Sequence, residues 1–446
     1  MEQKMFTKKD LVALLVPLMI EQILNALMGT LDTVMVSNVS DVALSAVSLV
    51  NSINNLVIQV FSALAAGGTV VCAQYIGRKE MKRANESAGQ LQMTLTAISV
   101  VLTGFCLLCY RPLLSLIFGR VDASVMEAAI RYFLITACSF PFVAVYNGSA
   151  ALFRAQGNSR FPMTVSMISN VINVAGNAIL IFGLHMGVTG AALSTLFARV
   201  FCAVVVTWAL RDKKLAVSVK HYLHIRPDRH LIWMILLVAV PTGIENGMFQ
   251  FGKLAIQSTV SLMGTTAIAA QALVAMLEEF SSMASIGICL GLVTIVGQCV
   301  GAGRVEEAKS YCMQLMKYAE IGLIISGGII MLITFPLTSL SAMNAEGRSL
   351  CIRLMLLITV VKPFIWKWSF VPPYAMRAAG DARYCLIVSS LTMWLCRVSL
   401  CMLLVRGFGF GPLAVWIGMF SDWGLRGLIF RYRFNSGKWV HLNMVH

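Results

Sequence analysis

Four polar residues interrupt an otherwise hydrocarbon run near the start of the chain. Between Pro17 and Val36, PLMIEQILNALMGTLDTVMV, stand Glu21, Gln22, Asn25 and Asp32. At 100° per residue, Glu21, Asn25, Met28 and Asp32 share one narrow helix face. A carboxylate on a membrane helix costs at least ~2.5 kcal/mol on insertion scales, so it is expected to face protein or water and to mark an ion or substrate path. A second polar series, Asn170, Asn173 and Asn177 with Ser166, also falls on one helix face. An acid set among neutral amides can take up an ion on one side of a membrane and release it on the other. Glu21 lies about 11 residues, ~16 Å, deeper along the same face as Asp32. It either extends a relay or ties helices together. Asn51, Asn55 and Gln59 stripe another face, as the lining of a wet cavity or as interhelical hydrogen bonds worth ~0.6 kcal/mol each.

The second half of the chain carries more intramembrane charge. Lys253 and Glu278 sit at depths that differ by about three residues, ~4.5 Å, on either side of a turn near Gly264. Lys253 is therefore expected to pair with Glu278 or Glu279, with Glu245 and Arg397 nearby. Gln271, Glu278, Ser282 and Ser285 share a face. Unpaired, such charges are costly in a bilayer, so a network is expected. It either holds that half together, binds an acidic or zwitterionic part of a substrate, or couples a second ion. Asp422 and Arg426, four apart, read as a structural pair.

These residues need long apolar elements to hold them. The chain has 446 residues, 58% hydrophobic and 12% charged. Soluble domains carry roughly 25% charged residues, so this is an all-α polytopic membrane protein. About twelve runs reach the ~20 apolar residues of a spanning helix. The net charge of +15 gathers in alternate loops, which argues for anionic lipid rather than nucleic acid as the partner of the positive charge. Lys4, Lys8, Lys9, Arg78, Lys79, Lys82, Arg83, Arg154, Arg160 and the basic segment 211–230 mark one side. Both termini are therefore expected in the cytoplasm, in the plasma (inner) membrane. The basic N-terminus lacks a cleavage signature, so the first span reads as retained. The twelve cysteines, including the Cys106–Cys109 CxxC, read as reduced packing residues. His221 and His224 in the basic segment are a weak metal signal, and solvated polar residues are the expectation there.

The chain is duplicated. VPLMIEQ at Val16 is answered by VPTGIEN at Val240, and Glu21 and Glu245 are 224 residues apart. CAQYIGRKEMKRAN around Gln74 matches VGQCVGAGRVEEAK around Gln298 at the same offset, and FRAQGNSR at Phe153 matches MRAAGDAR at Met376 at an offset of 223. Six spans per half keep both halves in one topology, so a pseudo-two-fold axis along the membrane normal is expected. The lobes are read as 1–210 and 231–446, with 211–230 as a basic cytoplasmic linker.

PLMIEQ…DTVMVS…ALSAVS in the first two spans, AQYIGRKE after the second, FRAQGNSRFP after the fourth, the N-x-x-N-x-x-x-N series of the fifth and MRAAGDAR after the tenth together resemble the multidrug and toxic compound extrusion (MATE) family, over nearly the whole chain. The resemblance implies a two-lobed exporter that alternates between inward and outward opening and exchanges organic, often cationic, compounds for H⁺ or Na⁺. It implies a coupling carboxylate at Asp32, with Asn170 and Asn173 beside it. Where the family pattern has an aspartate this chain has Asn177, so either Asp32 alone carries the proton or coupling differs. Glu245 matches an acid that some members use for Na⁺, but their partner acid on the tenth span is replaced by KPFIWKWSFVPP, with Lys362 and Lys367.

The expected function is therefore an ion-coupled antiporter, working as a monomer without a cofactor, for amphipathic organic cations. The alternative is a flippase for lipid-linked oligosaccharides or other anionic substrates, kept open by Lys253, Lys362, Lys367 and Arg397. A membrane-embedded enzyme is disfavoured, because no histidine lies in a span and neither HExxH nor GxSxG is present. An ion channel is disfavoured by the few, asymmetric acids.

Overall fold

The computed structural model describes residues 4–119, 121–219, 226–340 and 343–440. His221 and His224 of the basic segment lie outside them. The described residues are helical and contain no strand. Among them fifteen α-helices run in order: α1 (Lys8–Ser37), α2 (Asp41–Gly77), α3 (Met81–Leu108), α4 (Tyr110–Phe118), α5 (Ala123–Ala137), α6 (Phe140–Ala155), α7 (Arg160–Asn177), α8 (Gly187–Ala209), α9 (Arg229–Val260), α10 (Thr265–Gly301), α11 (Val305–Leu340), α12 (Ala345–Ala378), α13 (Ala382–Thr392), α14 (Ser399–Phe408) and α15 (Leu413–Asn435). α7 runs on through a π turn, Ala178–Gly183, and α13 joins α14 through another, Met393–Val398. Among the described residues eleven helices are long and apolar enough to span a membrane, and the pair α5–α6, bent by 45°, makes a twelfth when counted as one broken span.

Local chemistry fixes several boundaries. Ser40 Oγ accepts from the Ala43 N–H at 3.0 Å and starts α2. Asn344 Oδ1 accepts from the Gly347 N–H at 2.8 Å and starts α12. Both side chains satisfy donors that a helix start leaves unpaired. Gly264, at φ 87°, makes the turn into α10, where a β-carbon would be strained. Pro17 and Pro241 sit inside α1 and α9, and both helices continue through them.

The duplication is legible in the helices. α2 and α10 are both 37 residues long, their starts and ends both 224 residues apart. They are also the most buried spans. In one half α2 packs on α3, α5 and α6; in the other α10 packs on α11 and α12.

The compact units do not divide at the basic segment. One unit comprises Met1–Ile23 with Ile244–His446, the other Leu24–Gly243. The boundaries fall inside α1 and α9, so they differ from the lobe limits at 210 and 231 read from composition. The reason is close helix packing at small residues. Within the first unit, the head of α1 lies on α10. An added β-carbon on Gly287 would stand 2.7 Å from the Met19 backbone, and one on Gly291 2.4 Å from the Leu15 side chain. Within the other, the head of α9 lies on α2, where a β-carbon on Gly67 would meet the Ile235 carbonyl at 2.5 Å. A loop-based boundary misses such an exchange, because contacts rather than chain order define the unit.

This packing predicts a stability effect. Gly287→Val must push backbone aside and is expected to cost ~1–3 kcal/mol or more. Gly328, inside α11, has nothing within 4 Å of the place a β-carbon would occupy, so Gly328→Ala is expected to be neutral or slightly stabilising. Denaturant unfolding midpoints in detergent compare the two; equal midpoints would remove the close approach as a determinant of the fold.

Candidate functional site

Three helices of the Leu24–Gly243 unit bring the first cluster together. Asp32 comes from the end of α1, three asparagines from α7, and Thr195 with Arg199 from α8. α7 packs along α8. Asn177 Nδ2 donates to Asp32 Oδ1 at 2.8 Å and stands 3.4 Å from Asn173 Oδ1. Asn173 Nδ2 donates to Thr195 Oγ1 at 3.3 Å, and the Asn173 carbonyl accepts from Ser194 Oγ at 2.6 Å. Earlier on the same helix, Ser166 Oγ donates to Asn25 Oδ1 at 3.0 Å, a second tie between α7 and α1. Asp32 is half-buried, whereas Asn173 and Asn177 are buried. Asn170 Nδ2 and Asn177 Oδ1 are buried with no hydrogen-bond partner among the described residues. Asn177 is the last α-helical residue before the π turn; such wide turns are frequent at functional sites.

Arg199 joins this cluster, although the sequence reading did not single it out. Its Nη1 donates to Ser139 Oγ, at the break between α5 and α6, at 2.7 Å. Its charge acts on both Asp32 and Tyr132. The signal was present: Arg199 is the one charge in the 23 residues of α8, and an intramembrane charge is a functional candidate by default. Tyr132 hydroxyl in turn donates to Asn51 Oδ1 at 3.3 Å. Buried Asn54, rather than the exposed Asn55, completes that stripe, with its Oδ1 accepting from Thr136 Oγ1 at 3.5 Å.

The charges of the other unit pair differently from the sequence expectation. Lys253 is exposed on α9 and makes no ion pair among the described residues. Glu278 pairs with Lys362 of α12, Nζ to Oε1 2.6 Å. α10 packs on α12, so Lys362 reaches it. Lys362 Nζ also lies 2.9 Å from the Glu278 carbonyl, 2.8 Å from Ser281 Oγ and 2.6 Å from Ser282 Oγ. Glu279 is exposed, and only its longer-range charge bears on Lys362. Glu245 is held by Arg377, whose Nη2 stands 2.7 Å from both carboxylate oxygens. Arg397 pairs with Asp422 at 2.9 Å, closer than the 3.9 Å between Asp422 and Arg426. Lys367 pairs with Glu320 at 2.6 Å. Gln271 Oε1 accepts from Trp416 Nε1 at 3.0 Å, inside the packed core. Glu21 is buried, 2% exposed.

Chemically, the Asp32 cluster offers one accessible carboxylate, an N–H donor on it, and a guanidinium within electrostatic reach. A carboxylate so placed is chemically able to bind and release a cation. The acids of the other unit are mostly committed to cations. Among the described residues no group of three or more His, Cys, Asp and Glu could hold a metal, and all twelve cysteines are free thiols.

The MatE family model matches residues 17–179 and 241–403, one match in each half. Among curated relatives, an uncharacterized transporter, YisQ of Bacillus subtilis, is 26% identical over 96% of this chain and 94% of its own length. A probable multidrug resistance protein, NorM of Thermotoga maritima, is 27% identical over 97% of this chain and 93% of its own length. Among solved structures, the outward-facing conformation of a multidrug resistance MATE family transporter superposes with a TM-score of 0.89, at 20% identity, over 97% of this chain and 96% of that one. At that identity the likeness shows the fold: all-α and polytopic.

Proposed function

The chain belongs to the MatE family, and on that premise we propose that it is a proton-coupled exporter of amphipathic organic cations. The observation that carries this reading is the 2.8 Å hydrogen bond from Asn177 to Asp32. Two helices that must move in alternating access, α1 and α7, are tied through a half-buried acid. The N–H donation suits the ionised carboxylate. Protonation removes the charge that strengthens this bond and that attracts Arg199, so the tie weakens. A proton can drive transport only by such differential stabilisation of two arrangements. A sodium ion prefers several oxygen ligands, and here the nearest neighbour of the carboxylate is a donor. In this reading the protein is a monomer in the plasma membrane with both termini in the cytoplasm, and its partner is a small organic substrate.

The anionic-substrate alternative is less well supported. It needs uncompensated cations, and of the four that keep it open Lys362, Lys367 and Arg397 each face a carboxylate at 2.6 to 2.9 Å, which leaves only the exposed Lys253 without an ion pair among the described residues.

The test is an ion swap in proteoliposomes loaded with a fluorescent organic cation such as ethidium. An imposed proton gradient is expected to drive efflux, with no requirement for sodium. Efflux driven by a sodium gradient at clamped, equal pH would replace the proton as coupling ion. No efflux under either gradient, with a lipid-linked pyrophosphate transported instead, would overturn the reading.

A further inference from the structure

We propose that the Ile244–His446 unit holds a binding site for one monovalent anion, a carboxylate or a halide, between Arg397, Arg426 and Trp423. It goes beyond the export reading and stands without it. Arg397 lies in the π turn Met393–Val398, and Asp422 and Arg426 lie one helical turn apart on α15. Glu245 and Arg377 stand near enough to act on Arg426. Counting Arg377, Arg397 and Arg426 against Glu245 and Asp422 leaves one positive charge uncompensated. The surplus is not solvated: Arg426 is 2% exposed, Arg397 5% and Asp422 0%.

The donors are unspent as well. Arg397 Nε, Arg426 Nε, Arg426 Nη2 and Trp423 Nε1 are all buried without a hydrogen-bond partner among the described residues. Asp422 Oδ2 faces Arg397 Nη2 at 2.9 Å and Arg426 Nη2 at 3.9 Å, yet neither carboxylate oxygen accepts a well-directed hydrogen bond from any of these four donors. A buried donor without a partner is a standing cost. Aromatic faces do not remove it. Arg426 lies 4.5 Å from the Phe370 ring centroid and 5.3 Å from that of Phe249, and Arg397 5.9 Å from Phe249 and from Trp423. Ring faces attract the flat side of a guanidinium, whereas its N–H bonds lie in the plane and point past them. Two guanidinium edges and one indole N–H, with one net positive charge and apolar walls, form a receptor for a single small anion. The guanidinium fork is shaped for a carboxylate.

Trp423 makes the site visible. The purified protein is titrated with iodide, with sulfate holding ionic strength constant, and tryptophan quenching is followed. A saturable quenching component is expected. It should vanish in Trp423→Phe and weaken at least tenfold in Arg426→Gln. Acetate and benzoate are then added as competitors. Displacement of iodide at lower concentration than iodide itself requires assigns the site to a carboxylate, such as that of a zwitterionic substrate. Failure to displace assigns it to a halide. Arg426→Lys guards against misfolding of the glutamine variant: it keeps the charge and loses the fork, so it should retain iodide and weaken benzoate. Linear quenching, equal in the wild type and Trp423→Phe, overturns the proposal.

Discussion

Replacing Asp32 with asparagine is expected to abolish gradient-driven efflux while leaving the fold intact. The substitution is nearly isosteric, and its amide oxygen can still accept from Asn177 Nδ2, which now stands 2.8 Å from Asp32 Oδ1. The tie between α1 and α7 therefore survives. What is lost is its response to protonation, because an amide does not titrate in this range. One elementary charge moving down 100 mV supplies ~2.3 kcal/mol. At 1.4 kcal/mol per decade, uncoupling lowers the attainable concentration ratio of substrate by roughly 40- to 50-fold. Proteoliposomes with an imposed proton gradient measure that ratio, and passive exchange at zero gradient provides the control. Wild-type accumulation by Asp32→Asn would remove Asp32 as coupler. Arg199 would then be the next group to test, since its charge acts on the same carboxyl.

The fold was legible because hydrocarbon leaves few choices. A span must satisfy its own backbone, so each long apolar run had to be a helix, and a fixed offset of 224 residues is written into two helices of equal length, α2 and α10. The Asp32 cluster was legible for a related reason. Helical periodicity puts Asn173 and Asn177 on one face, and few partners for a buried acid exist in apolar sequence. Two features were not legible. The first is which helix supplies a counter-charge. Depth can be counted from a turn, but the angle at which a side chain leaves its helix axis depends on neighbours, and Lys253 is exposed on α9 rather than turned to Glu278. The second is the exchange of the heads of α1 and α9 between compact units, which depends on glycines meeting backbone across helices far apart in sequence. Arg199 belongs to neither class. Its lone charge in α8 was readable and its partners were not.

The Lys362–Glu278 pair is where the structural and functional accounts of the charged network separate. Lys362 is 2% exposed. Its ammonium has three protons and four oxygen atoms within 2.9 Å, from Glu278, Ser281 and Ser282. Removing one partner of a buried ion pair typically costs ~3–5 kcal/mol, and the Glu278 side chain, 14% exposed, would be left with little solvent and no counter-ion, so the loss is expected toward the lower end. Lys362→Met is expected to show that loss as a lower denaturant midpoint in detergent. The double variant Lys362→Met, Glu278→Gln should recover most of it, because no charge is then stranded. A deficit of ~1 kcal/mol should persist for the bonds from the ammonium to Ser281 and Ser282. The double-mutant cycle isolates the pairwise term. If the pair only braces α10 against α12, export follows stability and the double variant transports. If instead the double variant is stable and fails to export, the pair takes part in the transport cycle and does more than brace α10 against α12.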